Sequence, residues 1–317
     1  MITQILMVVL PVFALIGIGY GSARIGLLDA RIGDALGQFV FVIAIPVLIF
    51  KTLATSSLGG VSPWGFWFAY FTGVAVVWTL GTLIIRKLYG REARAGVIAG
   101  ISAAFANTVM VGIPLITAVF GEPGLVPLFV LISIHLPLLT IVCAIVMERA
   151  AVVDGTEKGR PIGEILKTVL NNLITNPIVV GILAGAFWQI VGLPVDGLFK
   201  VILDQIGGAA LPVALFSLGM SMVRYGIRGN VGPAIILSTL KAFVMPAVVY
   251  VMARYAVGLP PLWVSVATLT ACCPTGINAF LFASRYGTGH AMSANSITFT
   301  TAGAVVTTGL WMAFLGL

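Results

Sequence analysis

The sequence predicts an all-α polytopic membrane protein of ten transmembrane helices arranged as two inverted five-helix repeats, on three observations. The 317 residues are 60% hydrophobic and only 9% charged, so a water-soluble fold would lack the polar surface to coat itself. The apolar residues gather in stretches of roughly 18 to 25, each long enough to cross ~30 Å of hydrocarbon as a helix. Finally, the chain matches itself at a fixed offset of 166 residues.

The ten spans run over residues 4–22, 34–54, 62–86, 95–120, 124–147, 172–192, 198–222, 232–253, 261–284 and 291–316. Met1 to Leu10 carries no basic residue ahead of its apolar core, so the first span is expected to be kept rather than cleaved as a signal peptide. Cys143, Cys272 and Cys273 lie inside spans and read as small apolar fillers, not a disulfide framework. The formal charge of +7 does not mark a nucleic-acid partner, because it sits in short loops. The loops after spans 1, 3, 5, 7 and 9 hold thirteen of the seventeen Lys and Arg residues. The positive-inside rule places those loops in the cytoplasm and both termini outside, in a multi-pass cell (inner) membrane protein whose surroundings are the lipid bilayer.

The offset of 166 lays Ala44-Ile-Pro-Val-Leu-Ile-Phe50 on Ala210-Leu-Pro-Val-Ala-Leu-Phe216, Pro11 on Pro177, Gly19 on Gly185, Leu115 on Leu281 and Gly121 on Gly287. Residues 1–151 then form a first five-span repeat and residues 167–317 a second. Residues 152–166, with the polar run Asp154-Gly-Thr-Glu-Lys-Gly-Arg-Pro161, form a cytoplasmic linker. Five is an odd number, so the second copy enters the membrane in the opposite orientation. Inverted repeats recur in secondary transporters, whose substrate sits near the midplane at discontinuous helices.

Spans 4 and 9 carry the interruptions that such a site needs. Span 4 contains Ala106-Asn-Thr-Val-Met-Val-Gly-Ile-Pro114 and span 9 contains Cys272-Cys-Pro-Thr-Gly-Ile-Asn278. Proline removes a backbone donor and glycine lets the chain unwind; the freed backbone groups must then be satisfied by protein, water or ligand. Asn107, Thr108, Gly112, Pro114, Pro274, Thr275, Gly276 and Asn278 are the candidate substrate-binding residues. A half-helix beginning at Pro274 would present a positive N-terminal end, which suits a carboxylate. The plainer alternative is that the prolines only kink these helices and the amides bond neighbouring helices.

Asn107-Thr-Val-Met-Val-Gly-Ile-Pro-Leu115 and Pro274-Thr-Gly-Ile-Asn-Ala-Phe-Leu-Phe-Ala283 resemble the span-4 and span-9 signatures of the auxin efflux carrier family, which includes plant PIN carriers and bacterial organic-acid transporters. The likeness extends to Phe41-Val-Ile-Ala-Ile-Pro-Val-Leu-Ile-Phe50, Asn176-Pro177 and Phe216-Ser-Leu-Gly219. It implies a fold similar to bile-acid/sodium symporters with spans 4 and 9 broken and crossing, and organic-anion transport. It further implies that Asn107 contacts a carboxylate and that Pro274 is the span-9 crossover proline. Two positions depart from the plant pattern: Ala106 stands where plant members have proline, and Tyr225, by that match a further candidate substrate-binding residue, where they have an asparagine near the end of span 7. The short linker is similar to that of bacterial members. The expected cargo is a small organic anion such as malonate or a similar short acid. An auxin-like aromatic monocarboxylate, or a channel or receptor on the same scaffold, is the alternative.

Lys241, near the middle of span 8, is either a charge for substrate attraction or coupling, or a structural tie; Asp204, broken backbone carbonyls or a bound carboxylate are its candidate partners. His135 in Ser133-Ile-His-Leu-Pro137 could relay protons, although a bond to a neighbouring helix is the simpler role. Gly17, Gly19, Gly21, Gly96, Gly100, Gly181 and Gly185 fit close helix packing. None of the ten carboxylates sits at the breaks, so the sequence gives no clear sign of proton coupling, while sodium held by side-chain amides, hydroxyls and carbonyls stays open; the coupling ion is not resolved. No metal-binding run, acidic pair within the spans or cofactor motif supports an intramembrane enzyme, and a homodimer is a candidate assembly.

Overall fold

A computed structural model describes every residue except 1, 57–60, 157–160 and 225–228, together with all side chains of the described residues except those of 2, 4–6 and 30. It is 85% helical. The helices are α1 (Ile2–Arg24), α2 (Ala30–Phe39), α3 (Ile45–Thr55), α4 (Pro63–Leu88), α5 (Ala93–Ala104), α6 (Ile113–Phe120), α7 (Glu122–Val153), α8 (Ile162–Ile174), α9 (Pro177–Val191), α10 (Gly197–Met222), α11 (Val231–Thr239), α12 (Met245–Val251), α13 (Pro261–Cys272), α14 (Asn278–Tyr286) and α15 (His290–Leu315). Seven continuous helical stretches are long and apolar enough to cross a membrane, or eight if α8 and α9, bent at the break between them, count as one. Three shorter apolar helical segments, Ala93–Ala104, Thr108–Phe120 and Pro261–Cys272, accompany them.

Span 6 departs from its expected limits. Asn176 caps α9 by accepting the Ile178 backbone N–H at 3.0 Å, and Pro177 opens the helix, where its missing donor costs nothing. The residues just before it are helical too: α8 turns a buried face carrying Ile165 and Val169, so helix begins inside the stretch expected to be linker.

Prolines accompany three of the four π-helical turns among the described residues, the exception being Met252–Ala256. Wide π-helical turns cover Val40–Ala44, Thr108–Gly112 and Leu240–Val244, and each is followed two residues later by a proline, Pro46, Pro114 or Pro246. Proline can neither donate to the preceding turn nor fit its carbonyl. An i→i+5 turn absorbs both defects without ending the helix. The Ile45 N–H accordingly reaches back to the Val40 carbonyl, and that of Met245 to Leu240.

The chain divides into two compact units, and each takes segments from both halves of the sequence. The first comprises Met1–Val61, Val109–Ser133 and Asn171–Arg224. Within it α1 lies along α10 and α3 along α9. Glycine makes both approaches possible: a Cβ on Gly19 would stand 2.1 Å from the Phe216 carbonyl oxygen, one on Gly219 2.0 Å from that of Ile16, and one on Gly185 2.9 Å from that of Phe50. Gly17 and Gly21 meet nothing within 4 Å, so in the first motif only the middle glycine packs. Gly219→Val is expected to destabilise the protein by ~1–3 kcal/mol or more through backbone displacement. Thermal unfolding in detergent checks this, and a midpoint equal to wild type contradicts it. Near one end of this unit, Lys51 binds Asp204 at 2.6 Å and Glu122 at 3.3 Å, while Lys200 binds Asp204 at 2.5 Å.

The second unit comprises Ser62–Thr108, Ile134–Leu170 and Tyr225–Leu317. α4 packs on α5, α12 on α4 and α13, and α15 on α11 and α13. A Cβ on Gly100 would fall 2.5 Å from the Trp78 ring, which explains the glycines of α5. The start of α5 is capped from a distance in sequence. Asp154 accepts the backbone N–H groups of Ala93 at 2.8 Å and Arg94 at 3.0 Å, and the Arg94 side chain at 3.2 Å. Partial burial pushes the Asp154 carboxyl up, but the two amides and the guanidinium outweigh it and hold the group below its usual value of 3.8. The stabilisation from this cap is therefore complete above the unfolded-state value and fades as pH falls through the lower folded one. Asp154→Asn is expected to lower stability by ~1 kcal/mol at pH 7. That gap should narrow below pH ~4 in paired thermal melts, and a gap independent of pH contradicts the assignment.

Candidate functional site

The breaks expected in spans 4 and 9 are present, and they meet. After α5 the backbone turns extended at Phe105 (φ −76°, ψ 105°), and after α13 at Cys273 (φ −53°, ψ 147°). The two extended segments run antiparallel, with Ala106 opposite Thr275. The Asn107 N–H donates to the Pro274 carbonyl at 2.8 Å, and the Gly276 N–H donates to that of Phe105 at 2.8 Å. Backbone groups that neither half-helix can satisfy internally are thus paired across the crossing, as an apolar surrounding demands.

Side chains lock it. Thr275 is fully buried; its hydroxyl donates to the Ser102 carbonyl at 2.8 Å, and its N–H donates to the Thr300 hydroxyl at 3.0 Å. Thr300 in turn donates to the Ser296 carbonyl at 2.6 Å. Gly276 has a steric reason to be glycine, since a Cβ there would lie 2.9 Å from the Phe105 ring and 3.3 Å from the Ala106 carbonyl oxygen.

The structure brings Asn107, Thr108, Pro274, Thr275 and Gly276 together at this crossing, all buried. Gly112 closes the π-helical turn that follows Asn107, and Pro114 lies in the first turn of α6. Asn278 is half-buried and starts α14. The second half-helix of span 9 therefore begins four residues after Pro274. Its entry is closed by N–H groups of Ala279, Phe280 and Leu281 donating to Gly276 and Ile277 carbonyls. Tyr225 lies outside the described residues.

Lys241 is fully buried on the π-helical turn of span 8. Its ammonium donates to the Ala271 carbonyl at 2.5 Å and to the Met245 sulfur at 3.3 Å. Of the three partners considered for it, a carbonyl at the break is the one observed. Asp204 is engaged by Lys51 and Lys200 instead. His135 is buried among the rings of Phe105 (centroids 4.8 Å apart), Tyr70 (5.7 Å) and Phe71 (6.5 Å). Its Nε2 makes no hydrogen bond to any described residue, so aromatic packing, not a bond from this nitrogen to a neighbouring helix, holds the ring.

Sequence reasoning missed Ser102, Ala271, Thr300 and the Phe105 carbonyl. One signal was available: α15 buries Ser293, Asn295, Ser296, Thr300, Thr301 and Thr308, a polar face that lipid alone would not tolerate. A separate cleft of about 310 Å³ is lined by Arg91, Glu92, Asn230 and Thr288 among others. It shares no residue with the crossing, and its polar groups are paired, Arg91 with Asn230 at 2.8 Å and Glu92 with Thr288 at 2.7 Å.

Residues 4–312 match the membrane transport protein family. Among similar proteins, one named "Putative malonate transporter" from Rhizobium meliloti is 25% identical over 306 residues, covering 95% of this chain and 93% of that protein. An "Uncharacterized transporter" from Methanothermobacter thermautotrophicus is 25% identical over 318 residues, covering 97% of each. Auxin efflux carrier component 1 of Arabidopsis thaliana is 32% identical over 160 residues, 48% of this chain and 25% of that longer carrier. The family and these relatives are transporters rather than enzymes, and the apolar helices are those of a multi-pass membrane protein. The chain belongs to the membrane transport protein family, the group that contains the auxin efflux carriers.

Proposed function

We propose that this protein is a secondary transporter that moves a small organic anion, a short carboxylate such as malonate, across the cell membrane by alternating access. The observation that carries the proposal is the crossing itself: two apolar half-helix pairs broken at mid-sequence, joined by backbone bonds at Asn107–Pro274 and Gly276–Phe105. The helix that resumes after the span-9 break, α14, begins at Asn278, four residues after Pro274, and a helix N-terminus favours a carboxylate. Asn107 supplies an amide able to donate to it. Counting α5 with α6 and α13 with α14 as broken spans raises eight to ten, and both termini then face outside. The pairing of Gly19 with Phe216 and of Gly185 with Phe50 supports the inverted repeats 1–151 and 167–317, because the 166-residue offset exchanges one contact for the other. Export needs no coupling ion, since an inside-negative potential contributes ~2.3 kcal/mol per 100 mV per charge.

The matched auxin carriers favour a second cargo, an aromatic monocarboxylate. Radiolabelled malonate binding to purified protein separates the two. Saturable malonate binding displaced by short dicarboxylates and not by indole-3-acetate supports the main proposal, saturable binding of radiolabelled indole-3-acetate without malonate binding supports the second, and binding of neither contradicts both.

A further inference from the structure

A lysine buried in a membrane span without a carboxylate needs a physical explanation, because an unpaired ammonium in hydrocarbon is expensive. Among the described residues no carboxylate pairs with Lys241; its ammonium sits on the Ala271 carbonyl, in the last turn of α13. That turn is the C-terminal end of a twelve-residue half-helix, where unsatisfied carbonyls concentrate a partial negative charge of about half an electron. Half-helix C-terminal ends and unwound carbonyls are also where transporters of this architecture coordinate sodium. Among the described residues, the donors that close the corresponding end of α5 are neutral: the Thr275 hydroxyl on Ser102, the Gly276 N–H on Phe105 and the Phe105 N–H on Ile101. Among those residues, one half-helix end thus holds a fixed cation and its counterpart holds none.

The immediate contacts of Lys241 are uncharged. The Met245 sulfur lies 3.3 Å from the ammonium. Thr270, one residue before the accepting carbonyl, has a buried hydroxyl with no hydrogen-bond partner among the described residues. Cys272 and Cys273, both buried, and His135 are the titratable groups within electrostatic reach. The Trp311 indole N–H donates to the Ala242 carbonyl at 2.9 Å, which fixes the turn that carries the lysine.

We infer that the Lys241 ammonium is a tethered cation occupying, at the C-terminal end of α13, the place that a coupling sodium ion would otherwise take. The inference deepens the transport proposal and rests on it. A cation held by a covalent stem is present in every turnover, so transport does not depend on external sodium. It also sets a positive charge beside the crossing, where the cargo is an anion.

The test compares wild type with Lys241→Ala and Lys241→Met. Truncation to alanine removes the stem and the ammonium and opens a polar-walled space at the Ala271 carbonyl, whereas methionine fills that space with an apolar chain. In proteoliposomes, wild-type malonate flux is expected to be equal in sodium and choline media. Lys241→Ala should lose about tenfold of that flux in choline and recover several-fold on adding sodium, and Lys241→Met should lose flux without sodium recovery. A second readout needs no transport: sodium chloride, compared with choline chloride, should raise the thermal midpoint of detergent-purified Lys241→Ala and leave wild type unchanged. Sodium-dependent wild-type flux, full flux of Lys241→Ala in choline, or a Lys241→Ala protein whose melting ignores sodium overturns the inference. A sodium-stabilised Lys241→Ala protein with no organic-anion flux in any variant would instead leave the cation site standing and remove the cargo assignment.

Discussion

Asn107→Ala is expected to cut carboxylate flux by about ten- to a hundredfold, the equivalent of one hydrogen bond to a charged group, while the thermal midpoint moves by only a few degrees. At Asn107, one bond of the crossing does not depend on the side chain. Its backbone N–H, which alanine keeps, donates to the Pro274 carbonyl, so the crossing survives the substitution. The side-chain amide, buried at the point where the two broken spans meet, is what alanine removes. Initial rates and binding constants measured together give the expected signature of weaker binding in a folded protein. Unchanged flux, or lost flux accompanied by collapse of the melting transition, contradicts the role assigned to Asn107.

Gly276→Val should have the larger structural effect. The new Cβ would press on the Phe105 ring and the Ala106 carbonyl, and the isopropyl group would part the antiparallel segments. Both crossing bonds, Gly276 to Phe105 and Asn107 to Pro274, would lengthen with no water at hand to replace them. Overpacking of this kind costs ~1–3 kcal/mol, and orphaned backbone groups in an apolar setting add a similar amount each. Flux is expected to vanish and the midpoint to fall by several degrees, with Gly276→Ala intermediate in both. A Gly276→Val protein that transports normally would show that the close crossing is not needed.

The sequence exposed the site's location better than its partners. Pro274 and Gly276 mark a break that is visible without coordinates, because proline and glycine act through their own backbones. Thr275 and Asn107 were legible as polar residues in apolar runs, but not the Ser102 carbonyl or Thr300 that Thr275 binds, since a backbone acceptor or a threonine within a span carries no composition signal. The same limit hid the partner of Lys241. An acidic residue was the natural candidate, yet Ala271 contributes only its carbonyl. The repeat offset shows a further boundary of legibility. It holds at Gly19 and Gly185, where side-chain size is under steric control, but at the breaks Ala106 faces Thr275, three residues beyond the 166-residue register. Extended segments tolerate such slippage because helical packing no longer sets their phase.

The central claim is that the crossing of the broken spans serves a carrier of small carboxylates. Radiolabelled malonate flux into proteoliposomes holding the wild-type protein, followed as external concentration rises under an imposed membrane potential, tests it most directly. The expected result is flux that saturates with concentration, accelerates when the receiving side is made positive and is competed by other short dicarboxylates. Flux that rises linearly without saturation, or none for malonate and none for any other organic anion offered, would contradict it.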